Sequence, residues 1–137
     1  CASVEVNGKI VGSIGLGLLA LVCAMPNDNN QTCEKVVEKV SKIRIFEDKF
    51  GKMNKSLLDV KGSILLVSQF TLAANTKSGN RPDFKNALPP VNAKKIFDQL
   101  VEIFKGKKIP TKTGIFGSHM KLRILNDGPV TIPLEFH

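Results

Sequence analysis

Two apolar runs constrain this chain more than any other feature. Leu18 to Met25 is continuously apolar, and Ser63 to Leu72 is apolar for most of its length. Each is too short for a globular helix that is apolar all round, and each suits a strand buried on both faces. Neither crosses a membrane: the longest apolar stretch, Ile14 to Met25, has about twelve residues against the ~18–20 a spanning helix needs. With Lys9 ahead of it, that stretch resembles a signal-peptide core. Gly15 and Gly17 interrupt it, however, and alternating segments surround it, so a strand is the better reading.

The other segments supply partners for these strands. Ala2 to Val6 and Lys9 to Ile14 flank Asn7-Gly8, a dipeptide that tolerates positive φ at both positions and predicts a two-residue hairpin. Cys33, Val36, Val37, Val40 and Ile43 recur at helical spacing and predict a helix over 31–42. Arg44 to Phe46 reads as a short strand, followed by a turn over Glu47 to Gly51. Asn75 to Pro82 is a polar loop. Ile96, Phe97, Leu100, Val101 and Phe104 predict a second helix over 93–105, with Asn92 as N-cap and Gly106 as its end. Met120 to Leu125 and Val130 to Phe136 are the last expected strands, joined through Asn126-Asp127-Gly128-Pro129. The chain of 137 residues is thus expected to form one α+β domain, a mixed and largely antiparallel sheet system with two helices.

Charge adds one functional clue. The net charge is +8. Residues 77–123 hold eleven Lys/Arg and three acids, whereas the rest holds nine of each sign, so the whole excess lies in that segment. A localised positive field attracts nucleic acid or an anionic membrane, and it equally serves as a solvated surface. The three cysteines, Cys1, Cys23 and Cys33, lack metal-like spacing. Their odd number argues against a disulfide framework and suits buried or incidental thiols in a reducing compartment. With only His119 and His137 available, no zinc set, catalytic triad or phosphate-binding Gly loop is apparent, and no metal or cofactor is expected.

Two segments stand out chemically. Ser68-Gln69-Phe70-Thr71 places three polar side chains at the end of an apolar strand, which either lines a pocket or simply surfaces. Gly128-Pro129 combines a residue free of Cβ with one lacking an N–H, suited to an ordinary turn or to close approach of backbone to a ligand.

At these residues the chain resembles the D-aminoacyl-tRNA deacylases. Ser68-Gln69-Phe70-Thr71-Leu72-Ala73 and Asn126-Asp127-Gly128-Pro129-Val130-Thr131 carry the resemblance, with Gly79-Asn80-Arg81-Pro82-Asp83-Phe84 and Thr113-Gly114-Ile115-Phe116 plus Met120 between them. Gly17-Leu18-Leu19, Arg44-Ile45-Phe46 and Gly51-Lys52-Met53-Asn54 extend it over essentially the whole chain. There are two departures. The family's opening strand, of the type Met-Arg-x-Val-x-Gln-Arg-Val, is absent ahead of Cys1-Ala2-Ser3-Val4. Leu21-Val22-Cys23-Ala24-Met25 also stands where the family often has Leu-x-Gly-Val.

The resemblance implies a compact, β-barrel-like fold and a cytosolic homodimer that hydrolyses the ester of D-aminoacyl-tRNA, and of glycine mischarged on tRNA. Gly128 and Pro129, expected as a cis pair, would reach into the partner's pocket and reject L-residues by backbone clash. Ser68, Gln69, Phe70 and Thr71 would form the catalytic segment, and Ala87, Phe116 and Met120 would line the pocket. Main-chain N–H groups near Phe70 and Thr71 and substrate-assisted attack by water are preferred to a covalent Thr71 intermediate. The basic segment, with Lys107, Lys108 and Lys112, would hold the tRNA. Two alternatives are a non-catalytic nucleic-acid-binding protein on the same fold and an animal-type deacylase with a trans Gly-Pro that removes mischarged L-alanine.

Overall fold

The computed structural model describes all 137 residues. Its centre is β6 (Ser63–Ser68), whose Ile64, Leu65, Leu66 and Val67 are almost wholly buried. Alternation along a strand sends neighbouring side chains to opposite faces. Ile64 and Leu66 accordingly join a cluster with Cys33, Val37, Phe97, Leu100 and Phe104, whereas Leu65 and Val67 pack with Ala2, Val4 and Ile14. One strand thereby serves two cores.

On the first face lie two helices. Helix α1 (Asn30–Lys42) begins at Asn29, whose Oδ1 accepts from the Thr32 N–H at 3.0 Å while Thr32 Oγ1 accepts from the Asn29 N–H at 3.2 Å. This reciprocal cap satisfies two donors that a helix start otherwise leaves free. Its buried face is Cys33, Val37 and Ser41, at i, i+4 and i+8. Helix α2 (Pro90–Gly106) buries Phe97, Leu100, Val101 and Phe104, most of the expected stripe. Its start differs from the sequence reading. Pro90 occupies N1 after Pro89, so Asn92 lies exposed within the first turn rather than capping it. Proline is preset for N1, where its missing N–H costs nothing. The helix also runs through Gly106, and the left-handed residue beyond it is Lys108 (φ +60°).

The second face is covered by the hairpin of β1 (Ala2–Val6) and β2 (Lys9–Ile14), which turns at Asn7 (φ +50°) and Gly8 (φ +80°) as expected. β8 (Lys121–Ile124) pairs antiparallel on the other side of β1, giving the order β2-β1-β8. The second sheet is parallel, in the order β3-β6-β7, with β3 spanning Gly17–Val22 and β7 Thr111–Thr113. The system is mixed and mostly antiparallel as expected, with three antiparallel strand pairs against two parallel ones, but the sequence did not mark which strands are parallel. β7 has only three residues, too few to show a pattern, and helical crossovers are what parallel strands require. The two sheets stack through β6 and form no closed barrel. β2 approaches β7 so closely that a Cβ on Gly12 would lie 2.6 Å from the Thr113 carbonyl oxygen.

Four further expectations are corrected. β3 ends at Val22 and is half-buried rather than buried on both faces, because it is the edge of its sheet. β6 ends at Ser68, and Phe70–Ala73 forms a 3-10 turn. The short strand expected at Arg44–Phe46 is β4 (Phe46–Glu47), paired with β5 (Met53–Lys55) in a ribbon. Val130 to Phe136 forms no strand, since nothing within the chain pairs with it. No helix is long and apolar enough to cross a membrane.

Candidate active site

All three strands of the parallel sheet finish at one edge, because β6 runs beside Gly17–Val22 and Thr111–Thr113 in register. Carboxyl edges of such strands are where open α/β sheets usually present ligands. Ser68 ends the central strand there. The Gln69 N–H continues the pairing with the Val22 carbonyl at 2.7 Å, after which the chain bends into the 3-10 turn. That turn is held by the Leu72 N–H on the Gln69 carbonyl (3.2 Å) and the Ala74 N–H on the Thr71 carbonyl (3.1 Å). Gln69 Nε2 donates to Thr71 Oγ1. The leading N–H groups of a helical turn have no acceptor inside it, so those of Phe70 and Thr71 are placed to donate elsewhere.

Around this turn the structure gathers part of the expected set. Phe70 meets Phe84 edge-on at 5.1 Å between ring centroids. The loop carrying Phe84 is closed by the paired Asn75 and Asp83 backbones (2.7 and 2.9 Å), and the Ala87 N–H donates to the Phe84 carbonyl at 3.0 Å. Ala87 thus belongs to the same loop as Phe84, bonded back to it. The segment after β7 enters at the same edge, with the Gly114 N–H 3.3 Å from the Leu66 carbonyl. From there the two side chains part. Phe116 packs on the helix side, 6.0 Å from Phe97, while Met120 packs against the hairpin-side core and covers Gly114 so closely that a Cβ there would lie 2.5 Å from its sulfur.

The remaining expected residues lie elsewhere. Gly128 and Pro129 are exposed, their peptide bond is cis, and the atoms nearest to the Cβ position of Gly128 belong to Val130 of the same loop. Lys107 and Lys108 follow α2, about 25 Å of helix away from the loop that enters it. Their end of the molecule is the amino edge of the sheet, where the Ile64 N–H meets the Pro110 carbonyl at 2.9 Å. Lys112 projects from β7, exposed. The positive segment of the sequence is thus divided between two ends of the molecule.

Two residues to which the sequence reading gave no role in the site matter here. Cys23 lies under the turn with Sγ 3.7 Å from the Phe70 carbonyl oxygen, and burial pushes its thiol above the ordinary range, which disfavours a nucleophilic thiolate. Asn126 clamps the Gly128-Pro129 loop: its Oδ1 accepts from the Val130 N–H at 3.0 Å and its Nδ2 donates to Thr131 Oγ1 at 2.9 Å. The habit of Asn side chains of bonding nearby backbone was the available signal for the second. Nothing in the sequence pointed to the first. No cluster of three or more metal-ligating side chains is present. A groove of about 630 Å³ between the helices is lined by mixed charges, including Glu34, Glu38 and Lys107, and takes in none of the edge residues.

Comparison with known proteins places the chain among hydrolases that deacylate tRNA. A family model described as D-Tyr-tRNA(Tyr) deacylase covers residues 1–135. A D-aminoacyl-tRNA deacylase of Ruegeria pomeroyi is 50% identical over 134 residues, covering 98% of this chain and 92% of that protein. One from Pseudomonas aeruginosa is 51% identical with the same coverage. Among solved structures, a c-Myc DNA Unwinding Element Binding Protein superposes with a TM-score of 0.92 at 38% identity, covering 99% of this chain and 93% of that one. A probable eukaryotic D-amino acid tRNA deacylase shares the fold with a TM-score of 0.77 at 16% identity, covering 89% of this chain and 87% of that one. The chain belongs to the D-Tyr-tRNA(Tyr) deacylase family.

Proposed function

We propose that this chain, as one deacylase domain spanning 1–137, hydrolyses the ester between a D-amino acid or glycine and the 3′ end of tRNA in the cytoplasm. The observation that carries the reading is the turn at Ser68 to Thr71, at the carboxyl edge of β6, within a chain 50% identical to D-aminoacyl-tRNA deacylases. An aminoacyl ester is already reactive, so the site need only position water and stabilise the tetrahedral oxyanion. The Phe70 and Thr71 N–H groups are suited to that task, and one such donor elsewhere contributes roughly 3–4 kcal/mol. The neighbouring ribose hydroxyl assists the water. Ser68 and Gln69 hold the turn in place, and Ala87, Phe116 and Met120 bound the site.

Selection falls to Gly128 and Pro129. This loop is exposed on its own chain, and in a homodimer it enters the partner's pocket, where its backbone excludes an L side chain. Glycine carries no side chain to exclude. Lys107, Lys108 and Lys112 contribute to the field that holds the RNA.

A second reading, nucleic-acid binding without catalysis, is favoured by the likeness to the DNA unwinding element binding protein and by the basic excess. One assay separates them. Single-turnover deacylation of D-Tyr-tRNA, L-Tyr-tRNA and Gly-tRNA should proceed for the first and third and fail for the second. Tight tRNA binding with none of the three esters cleaved would establish the binding-only reading.

A further inference from the structure

The ribbon of β4 and β5 stands at the amino edge of the sheet, between the end of α1 and the start of β6, and no step of the proposed deacylation uses it. Its tip is tightly built. The Asp48 N–H bonds the Lys52 carbonyl at 2.8 Å and the Gly51 N–H bonds the Asp48 carbonyl at 3.0 Å. The Asp48 carboxylate accepts from the N–H groups of Phe50 (2.8 Å) and Lys52 (3.0 Å) and from Asn54 Nδ2 (3.3 Å). At the foot of the ribbon, Arg44 Nε donates to the Asn54 carbonyl at 2.9 Å. A loop ordered by this many bonds nevertheless holds a phenyl ring, Phe50, 74% exposed at its apex, with Met53 57% exposed beside it. Lys49 Nζ lies 5.2 Å from the Phe50 ring centroid, and Lys52 and Lys55 are exposed on the same ribbon. Of the two acids here, the Asp48 carboxylate is engaged within the tip and Glu47 is exposed.

We propose that this ribbon is an RNA-docking arm, in which Phe50 stacks on an exposed base face while Lys49, Lys52 and Lys55 hold the flanking phosphates. An aromatic platform framed by cations is the arrangement that binds nucleic acid without reading sequence. Charge decides against an apolar protein partner, since a surface buried against protein is depleted in lysine. Position decides what is held. The ribbon follows the last turn of α1, to which the Leu58 N–H returns on the Ser41 carbonyl at 3.4 Å, and Glu38 near that turn lines the same groove as Lys107. The ribbon thus lies toward the end of the molecule where α2 finishes, an α2 length away from Ser68 to Thr71. The arm therefore grips the body of the RNA while the opposite edge treats its aminoacyl end. This rests on the proposed tRNA substrate.

The test compares the whole wild-type protein with F50A, F50W and a K49A/K52A/K55A variant. Anisotropy with labelled, uncharged tRNA is read across a salt series. Phe50→Ala should weaken binding at least about fivefold and Phe50→Trp should restore it, as expected for stacking. The lysine variant should flatten the log–log salt slope by about two to three. Hydrolysis of a D-tyrosyl ester of adenosine, which lacks the RNA body, should proceed at the wild-type rate in all of them. Equal affinity and slope in every variant would overturn the arm, as would a change of mass by light scattering, which would make the ribbon a contact between chains. If instead the wild type cleaves neither D-Tyr-tRNA nor the adenosine ester, the enzymatic reading fails, whatever the ribbon does.

Discussion

Single residues divide into those that do chemistry through backbone and those that act through side chains. Thr71 tests the division. Its hydroxyl takes a hydrogen bond from Gln69, and no basic side chain contacts it, so nothing here activates it as a nucleophile. Replacing it by alanine leaves the N–H at that position in place. Thr71→Ala should keep single-turnover deacylation of D-Tyr-tRNA within about tenfold of wild type, a barrier change of about 1.4 kcal/mol or less. A thousandfold loss in a folded protein would restore the covalent route. Asn126 acts through its side chain. Its two bonds to Val130 and Thr131 define the loop that carries Gly128 and Pro129, so Asn126→Ala should lower the ratio of D- to L-Tyr-tRNA cleavage about tenfold or more. The D-substrate rate should change less, because the turn at Phe70 is untouched. An unaltered ratio would remove that loop from stereochemical selection. These two residues also mark what the sequence allowed. Polar side chains ending an apolar strand point to a site at Thr71, whereas for Asn126 the sequence offers only the general habit of Asn of bonding nearby backbone, and its partners Val130 and Thr131 depend on the loop conformation.

At the scale of elements, legibility followed the apolar pattern. β6 was readable as a continuous apolar run, and both helices because their apolar residues recur at helical spacing along one face. β3 was readable in kind but overestimated in length and burial, since an apolar run carries no mark of being a sheet edge. The pairing of β3 with β6 rests instead on a glycine. A Cβ at Gly17 would lie 1.8 Å from the Ser63 carbonyl oxygen, and its φ of +156° is one L-residues rarely adopt. Gly17→Ala should destabilise the protein by about 3 kcal/mol or more, or prevent folding. Gly15→Ala has open space around it and should fall within about 0.5 kcal/mol of wild type in urea unfolding. Equal midpoints for the two variants would contradict the close approach of these strands. The β4–β5 ribbon obeys different physics, because one carboxylate orders its tip. The Lys52 N–H foremost, then the Phe50 N–H and the Asn54 amide, hold the Asp48 carboxyl below the usual carboxylate range. A lowered value in the folded chain means that order is complete above the ordinary aspartate range and is lost only as pH falls through the lowered value. Amide shifts of Phe50 and Lys52 should therefore stay constant through mild acid and move together only below it. Movement near the ordinary aspartate value would show that those bonds do not form in solution.

The molecule as a whole leaves its carboxyl-terminal stretch without a partner. Ile124, Leu125, Val130, Ile132 and Leu134 are between 36% and 67% exposed, and the chain beyond Leu125, whose N–H still bonds the Cys1 carbonyl at 2.8 Å, joins no ladder. Scattered surface leucines need no explanation, but an apolar tail of this length beside an open strand edge does. A second copy of the chain would cover it. The same association would carry the exposed Gly128 and Pro129 toward the site of the other copy. Assembly and selection are then a single property. The protein should run as a dimer by light scattering at micromolar concentration. A double change, L125D with I132D, should yield a monomer, because two carboxylates would be left buried without counter-charges. That monomer should lose most of its activity on D-Tyr-tRNA and the D-over-L preference together, while circular dichroism keeps the signature of two packed helices. Leu58, exposed 42% near the β4–β5 ribbon, provides the control: L58D should remain dimeric and active. A monomeric wild type with full activity and intact preference would separate selection from assembly and return Gly128 and Pro129 to the role of an ordinary turn.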